Sequence, residues 1–300
     1  MLTTPYSNSG STFLGCSKNV NPSSDIIFMG VPTDNGVTNR PGTRFGPEAI
    51  RRSSMMMFGK RDHQTRVNPC LDLHLADIGD VSFDDLEQSI QSNLHKYPQH
   101  QPITFGGDHS ITYPIIRALK SYYNKPIDII HFDAHLDTWK GNVTNHSSPF
   151  FCSVNDNLVG KVTQLGIRGP STTQAYDFAV KNGFDIFTAE KIHTSNLLCY
   201  VNGIYDKINN RGWGQQKNPT YLTIDIDALD PSQAPGTGTP EIGGLFTWQI
   251  LTMINMLFKT HNFIGMDVVE VSPPYDVSEI TSLAAATFVW RYICNVSSYK

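Results

Sequence analysis

The sequence has 300 residues, of which 39% are hydrophobic and 11% aromatic, enough for a globular core and too many for a disordered chain. Its formal net charge of −4 provides neither a basic surface for nucleic acid nor a polybasic patch for a membrane. It has no apolar run of membrane-span length, no secretory signal and no CxxC motif among its five cysteines, which predicts a reduced, cytoplasmic protein.

Short apolar runs alternate with helix-length segments along most of the chain. Residues 1–24 are rich in Ser, Asn and Gly, and we expect them to form a flexible N-terminal arm ahead of a single domain over residues 25–300. Runs rich in Ile, Val and Phe predict strands buried on both faces of a mainly parallel sheet, and therefore an α/β fold. The predicted strands are 26–31, 74–78, 103–105, 127–132, 162–167, 186–188, 221–226 and 263–269. The predicted helices are 83–96, 112–123, 172–182, 195–209, 247–259 and 278–293.

Acidic and histidine side chains follow several of the predicted strands. Asp133, His135 and Asp137 are spaced by two after one strand, and on an extended chain they would project to one side. Asp225 and Asp227 repeat this spacing after another strand. Because ligands of open parallel sheets bind beyond the carboxyl ends of the strands, we expect these side chains to share one site.

A third strand end adds His109, which follows two glycines that permit a tight turn over the sheet edge. Four carboxylates and two imidazoles suit divalent ions of the Mg or Mn type, and the imidazoles widen the choice to Fe, Co, Ni or Zn. Two such ions would balance the four aspartates, whereas without metal the close carboxylates would repel one another and raise their pKa values. The predicted metal ligands are His109, Asp133, His135, Asp137, Asp225 and Asp227.

Other polar residues at strand ends have plainer interpretations. A single Asp there is usually a helix cap or a turn residue, which is our interpretation of Asp108 and Asp230. We interpret Asp267 as structural. The remaining histidines outside the strand-end motifs are also interpreted as structural, namely His63, His74, His95, His100, His131, His193 and His261.

Taken together, these motifs resemble the ureohydrolases, the family of arginases, agmatinases and related guanidino hydrolases. The resemblance rests on GGDHS at 106–110, DAHLD at 133–137 and DIDALDP at 225–231. Two further segments, GVTNRPGTRFGPEAIR at 36–51 and APGTGTPEIGG at 234–244, resemble the agmatinase branch in particular. The family implies a three-layer α/β/α fold with a central, mainly parallel eight-stranded sheet, a single catalytic domain, two Mn²⁺ per chain and a homo-oligomer, either a trimer or a hexamer.

The resemblance also implies roles for individual residues. One ion would be held by His109, Asp133, Asp137 and Asp225, and the other by His135, Asp133, Asp225 and Asp227. His146 aligns with a histidine that shuttles protons, although a solvated loop histidine is the plain alternative. Glu270 aligns with a carboxylate that holds the guanidinium, the alternative being a buried structural carboxylate.

The implied reaction is the hydrolysis of a guanidino compound to urea and an amine. Two ions lower the pKa of a shared water, Asp137 would orient that water, and His146 would protonate the leaving amine. The negative field of the carboxylates favours a cationic substrate over a phosphate ester. The alternative from another class is a non-catalytic, metal-stabilised scaffold, whose signature would be a lost ligand, and none is lost here.

Agmatine, which would yield putrescine, is the leading substrate from the branch resemblance. Only residues 138–145 separate Asp137 from His146, and this short loop argues against arginine. Guanidinobutyrate, guanidinopropionate and guanidine stay open, and a formiminoglutamate hydrolase is a further alternative. Two features are individual to this chain: serines at 147 and 148, where the branch has Gly-Thr, and Lys140, which would suit a guanidino acid if it faced the substrate.

Overall fold

A parallel sheet forms the centre of the computed structural model, which describes residues 12–141, 145–194 and 218–300. The sheet has eight strands, and every strand pairing in it is parallel. The predicted fold class is therefore confirmed. The strands are β1 (Ile26–Val31), β2 (Leu75–Asp80), β3 (Gln101–Gly106), β4 (Ile127–Phe132), β5 (Val159–Ile167), β6 (Asp185–Thr188), β7 (Thr220–Asp225) and β8 (Phe263–Val269).

The order of the strands in the sheet is β2-β1-β3-β8-β7-β4-β5-β6. The four central strands are consequently β3, β8, β7 and β4, which are the strands that carry the polar motifs. Parallel pairing brings their carboxyl ends to the same edge, where Phe132 pairs with Ile224 and Asp225 with Val269. Side chains that are distant in sequence therefore meet at this edge.

Two apolar layers cover the faces of the sheet. One layer includes Ile50, Ile192, Ile250 and Phe288, and the other includes Ile90 and Ile115, all of which lie on helices. None of the described helices is long and apolar enough to cross a membrane. The helices are α1 (Gly46–Ser54), α2 (Pro69–Asp72), α3 (Leu86–Lys96), α4 (Thr112–Tyr123), α5 (Pro149–Asn155), α6 (Thr173–Lys181), α7 (Ala189–Thr194), α8 (Thr247–Leu257) and α9 (Ile280–Tyr299).

The predicted helix 112–123 coincides with α4. The last helix runs six residues beyond its predicted end, and the predicted helix 195–209 lies outside the described residues. The helices α1, α2, α5 and α7 were not predicted. They have nine residues or fewer, too few for a clear period, and a proline in the first turn of three of them is their main sequence signal.

The described part of the predicted N-terminal arm packs on the core. The Phe13 ring is fully buried, with its centroid 4.8 Å from that of Phe28 and 5.1 Å from that of Phe105. Its backbone N–H donates to Asp77 Oδ2 at 2.8 Å. Residues 12–24 therefore differ from the loosely held arm that their polar composition predicted, because two apolar residues within them anchor the segment.

Candidate metal centre

Two aspartates at strand ends organise the site through short turns. Asp133 comes directly after β4, and its Oδ1 accepts a hydrogen bond from His135 N at 2.6 Å. Asp225 ends β7, and its Oδ1 accepts from Asp227 N at 2.8 Å. The spacing of two thus reflects an Asp side chain that bonds the backbone two residues on, not a continuing extended strand. The side chains still converge, but through turns.

His109 lies in a 3₁₀ turn after β3, and the two preceding glycines let neighbouring segments approach closely. A Cβ at Gly107 would lie 1.9 Å from the backbone oxygen of Thr33. A Cβ at Gly106 would lie 2.5 Å from Val269 Cγ1. Neither glycine has a positive φ. Their role is therefore to make room for the backbone rather than to permit a left-handed turn.

Three carboxylates surround one nitrogen of His109. Its Nδ1 lies 2.9 Å from Asp137 Oδ2, 3.3 Å from Asp133 Oδ2 and 3.4 Å from Asp225 Oδ2. This nitrogen is buried, yet it forms no hydrogen bond with suitable geometry to any described residue. The other ring nitrogen, Nε2, lies 2.9 Å from Thr223 Oγ1. Thr223 thus holds the ring through Nε2, while Nδ1 faces the three carboxylates.

A second group of ligand atoms adjoins the first. His135 Nδ1 lies 3.1 Å from Asp227 Oδ2 and 3.4 Å from Asp133 Oδ1, and these three residues offer ligand atoms within 4.8 Å of one another. His135 Nε2 faces Glu241 Oε1 at 3.4 Å. Asp133 therefore presents one oxygen to each group. The structure brings the six predicted ligands into one region, where Asp225 contacts His109 but belongs to neither group of ligand atoms that all lie within 4.8 Å of one another.

The electrostatics of the cluster favour a positive charge within it. Burial lowers the pKa of His109, but Asp133, Asp137 and Asp225 outweigh it and raise that pKa well above its ordinary value. Burial, reinforced by the charges of Asp227 and Asp133, raises the pKa of Asp225 well above its ordinary value. The pKa of Asp133 is instead lowered, because His131, His109 and His135 outweigh its burial. The expected upward shift therefore holds for Asp225 and not for Asp133.

His146 and Glu270 meet beside the ligand cluster. Both are buried, and His146 Nδ1 lies 3.2 Å from Glu270 Oε1 while its Nε2 lies 2.7 Å from Thr38 Oγ1. Burial lowers the pKa of His146, but the hydrogen bond and charge of Glu270 outweigh it and raise that pKa to about 9. The same Glu270 oxygen accepts from His109 N at 2.9 Å, whereas Oε2 is buried without a hydrogen-bond partner among the described residues. Burial raises the pKa of Glu270.

A cavity of about 320 Å³ opens onto the cluster. Its walls include the predicted ligands His135 and Asp137 and the half-exposed indole of Trp139. The other lining residues carry no charge, and they are Thr38, Leu136, Thr138, Asn145, Ser147, Pro170, Ser171, Thr172 and Ala175. A cavity of this size accepts a small molecule.

Lys140, considered for an acidic substrate, does not line this cavity, and neither does the basic residue Arg168. Lys140 is exposed. Arg168 is turned toward backbone carbonyls, with Nη2 2.6 Å from Glu241 O and 2.8 Å from Asp227 O. Arg168 therefore holds the chain segments beside the site together.

The aspartates interpreted as structural make the expected local contacts. Asp108 caps the turn of His109 and accepts from Ser110 N at 3.0 Å. Asp230 accepts from the backbone of Ser232, Gly243 and Gly244. Asp267 Oδ2 accepts from the hydroxyls of Thr112 and Tyr221.

Residues that the sequence reasoning missed lie immediately around the ligands. His131 was grouped with the structural histidines, yet its Nε2 lies 2.7 Å from Asp133 Oδ2. It also offers a ligand atom within 4.8 Å of those of His109, Asp133 and Asp137. The available signal was its position two residues before Asp133 on the same strand. Thr223 and Glu241, behind the two ligand histidines, gave no signal that distinguishes them from ordinary polar residues.

Comparison with known proteins identifies the class. A family model described as the arginase family matches residues 24–294, and the chain therefore belongs to the arginase family, whose members are hydrolases acting on guanidino C–N bonds with a binuclear metal site. The chain is 39% identical to the mitochondrial guanidino acid hydrolase of Homo sapiens over 90% of this chain and 78% of that protein. It is 37% identical to the mitochondrial agmatinase of Gallus gallus, over 92% and 82% respectively.

A solved structure extends the agreement to the fold. The crystal structure of a hypothetical agmatinase from Burkholderia thailandensis superposes with a TM-score of 0.87 at 33% identity, covering 99% of this chain and 93% of that one. The resemblance to ureohydrolases and the assignment as a hydrolase are thus confirmed. The named relatives divide between agmatine and guanidino acids.

Proposed function

We propose that this guanidino hydrolase uses two Mn²⁺ ions to cleave agmatine into urea and putrescine. The observation that carries the proposal is the cluster of carboxylates around His109 and His135, which lies beside a buried carboxylate, Glu270, whose Oε2 lacks a partner among the described residues. The cluster supplies the chemistry of bond cleavage, and the carboxylate supplies the recognition of a guanidinium.

The residues present fit a pair of divalent ions. His109 Nδ1 is buried without a hydrogen bond, and three carboxylate oxygens lie within 3.4 Å of it, an arrangement that a cation would satisfy. When bound, such ions activate water at neutral pH and act as Lewis acids. In this proposal His109 and Asp137 serve one ion, His135 and Asp227 serve the other, and two aspartates are shared. The shared ligands are Asp133 and Asp225.

Glu270 is the proposed anchor for the guanidinium. Its Oε1 is already fixed by the backbone N–H of His109, which holds the carboxylate in one orientation. Its Oε2 remains to accept from a planar N–H fork, and guanidinium is the cation that matches carboxylate geometry in this way. Gly238 lies near this oxygen, since a Cβ built on it would be 3.7 Å away, so the backbone leaves space beside the carboxylate.

His146 is the proposed source of the proton for the leaving amine. Glu270 raises its pKa and so favours the protonated form, and Thr38 and Glu270 hold its two nitrogens. An amine must be protonated to leave, and a positioned imidazolium can provide that proton. Asp137, between His109 and the cavity, would orient the attacking water.

The cavity favours agmatine over guanidino acids. The described lining residues include no cation to pair with a carboxylate, and Glu270 adds a negative charge beyond the four aspartates that two bound ions would balance. The indole of Trp139 lines the cavity, and Trp is the aromatic residue that attracts an ammonium such as the distal one of agmatine most strongly. A dication therefore suits the site better than a zwitterion.

The test is urea release by the Mn²⁺-loaded chain from agmatine, guanidinobutyrate, guanidinopropionate, arginine and guanidine, with bound metal counted in the same samples. We expect agmatine to give the highest kcat/KM. A higher value for a guanidino acid would overturn the choice of substrate, and formamide release from formiminoglutamate would overturn the reaction. Absence of turnover with two ions bound would favour the scaffold alternative.

The remaining parts of the proposal concern the whole protein. The family resemblance supports a trimer or hexamer, and the sequence supports a cytoplasmic location. Light scattering on the purified chain and cell fractionation test these two points separately. A monomer in solution would contradict the first of them.

A further inference from the structure

A hydrogen-bonded pair, Gln164 and His131, lies directly behind Asp133. The two residues are register partners on the neighbouring strands β5 and β4, and both are fully buried. Gln164 Nε2 lies 3.0 Å from His131 Nδ1, and His131 Nε2 lies 2.7 Å from Asp133 Oδ2. A continuous chain of contacts therefore links β5 to the carboxylate that faces both ligand groups.

The backbone fixes the direction of these hydrogen bonds. Gln164 Nε2 also donates to the carbonyl oxygen of Leu136 at 2.8 Å, and a carbonyl can only accept, so the amide nitrogen must point this way. The same nitrogen then donates to His131 Nδ1. A neutral imidazole with an accepting Nδ1 carries its proton on Nε2, which donates to Asp133. Gln164 Oε1 is buried without a partner among the described residues, so the two donated bonds set the amide orientation.

Asp133 needs a defined orientation because one of its oxygens faces His109 and the other faces His135. Oδ2 lies 3.3 Å from His109 Nδ1, and Oδ1 lies 3.4 Å from His135 Nδ1. Rotation of the carboxylate would move both oxygens away from these positions together. The bond from His131 restrains Oδ2, and the Phe150 ring, with its centroid 4.4 Å from that of His131, packs against the imidazole.

We propose that Gln164 and His131 are positioning residues that orient Asp133 so that it bridges two ions, and that His131 is not itself a ligand. The inference rests on the proposed two-metal function. Removing a residue that hydrogen-bonds to a metal ligand typically lowers the metal affinity by about 10–100-fold. The same change is expected here, without loss of either ion.

The experiment is calorimetric titration of MnCl₂ into the chelator-stripped full chain, for the wild type and three variants. His131→Leu removes the donor to Asp133, His131→Gln keeps an N–H at a similar reach, and Gln164→Met removes the bonds of the amide at nearly constant volume. We expect two ions in every case. Affinity should fall about 10–100-fold in His131→Leu and Gln164→Met and recover in His131→Gln. The electron paramagnetic resonance spectrum of the Mn²⁺ pair should change with the affinity.

Each alternative has a distinct result. If His131 is a ligand, His131→Leu binds one ion fewer, and the proposal is overturned. Two ions bound with wild-type affinity and an unchanged spectrum in both His131→Leu and Gln164→Met also overturn it, even if those variants melt earlier. If the wild type itself does not bind two ions, the proposed function fails first. Should His131→Leu not fold, Gln164→Met carries the comparison.

Discussion

Replacing Glu270 with Gln tests whether this carboxylate binds the guanidinium. The substitution keeps the size of the side chain and the acceptor for His109 N, but removes the charge. Losing one partner of a buried charged pair costs about 2–4 kcal/mol, which is roughly a 30- to 700-fold loss in kcat/KM. The melting temperature should fall only modestly, because burial raises the pKa of Glu270 and a neutral side chain avoids this cost, while the charge that favours protonated His146 is lost.

The assay measures urea release from agmatine at several concentrations, together with Mn²⁺ content and melting temperature. Glu279→Gln is a matched control, since Glu279 has a similar positive φ, 61° against 63°, but is exposed and pairs with Arg52 instead. We expect the control to keep full activity. If Glu270→Gln binds two ions and its kcat/KM stays within threefold of the wild-type value, Glu270 is not the anchor.

Four further changes probe the site and the fold. His146→Asn should lower kcat by about 10²–10⁴-fold at unchanged Mn²⁺ content, and unchanged turnover would exclude it as the proton donor. Trp139→Leu should raise the KM for agmatine about 2- to 30-fold but leave that for butylguanidine, which lacks the ammonium, unaltered. Asp225→Asn should raise the melting temperature of the metal-free chain, because the negative charge of Asp225 is unfavourable there. With Mn²⁺ added, the same variant should melt at a lower temperature than the wild type, because it loses a proposed metal ligand. Burial lowers the pKa of His261 to about 4, so unfolding should become easier as the pH falls from 6.5 to about 4, and His261→Phe should reduce this loss in pH-dependent denaturation.

The sequence was sufficient to predict which strands carry the site, but not how their ends are shaped. Continuous Ile, Val and Phe runs identify buried strands, and β1, β4 and β8 begin and end as predicted. The convergence of Asp133 and His135 was predicted from an extended chain, whereas the structure has a turn closed by the Asp133 side chain. Local pattern cannot distinguish these cases, because both place side chains two residues apart on the same side.

The two serines after His146, which are individual to this chain, are accommodated by local hydrogen bonds. Where the branch has glycine, this chain has Ser147, whose φ is not positive, so no glycine is required there. Asn145 closes the turn instead, since its Oδ1 accepts from Ser147 N at 2.9 Å, and Ser148 Oγ donates to its carbonyl oxygen at 3.0 Å. A neighbouring side chain supplies this compensation, which becomes visible only in three dimensions.

Two residues with a strained backbone, Asp137 and Glu270, lie at the edge of the sheet that carries the candidate metal centre. Asp137 and Glu270 have φ values of 50° and 63°, a left-handed conformation that costs a non-glycine residue roughly 1–3 kcal/mol. Their backbones are held by hydrogen bonds from Phe150 N to Asp137 O and from Glu270 N to Gly107 O. Glycine would relieve the strain at either position but would remove the carboxylate. The strain therefore indicates that the carboxylates of Asp137 and Glu270 have a binding role. Binding of divalent ions and of a guanidinium would offset the free-energy cost of the strained backbone.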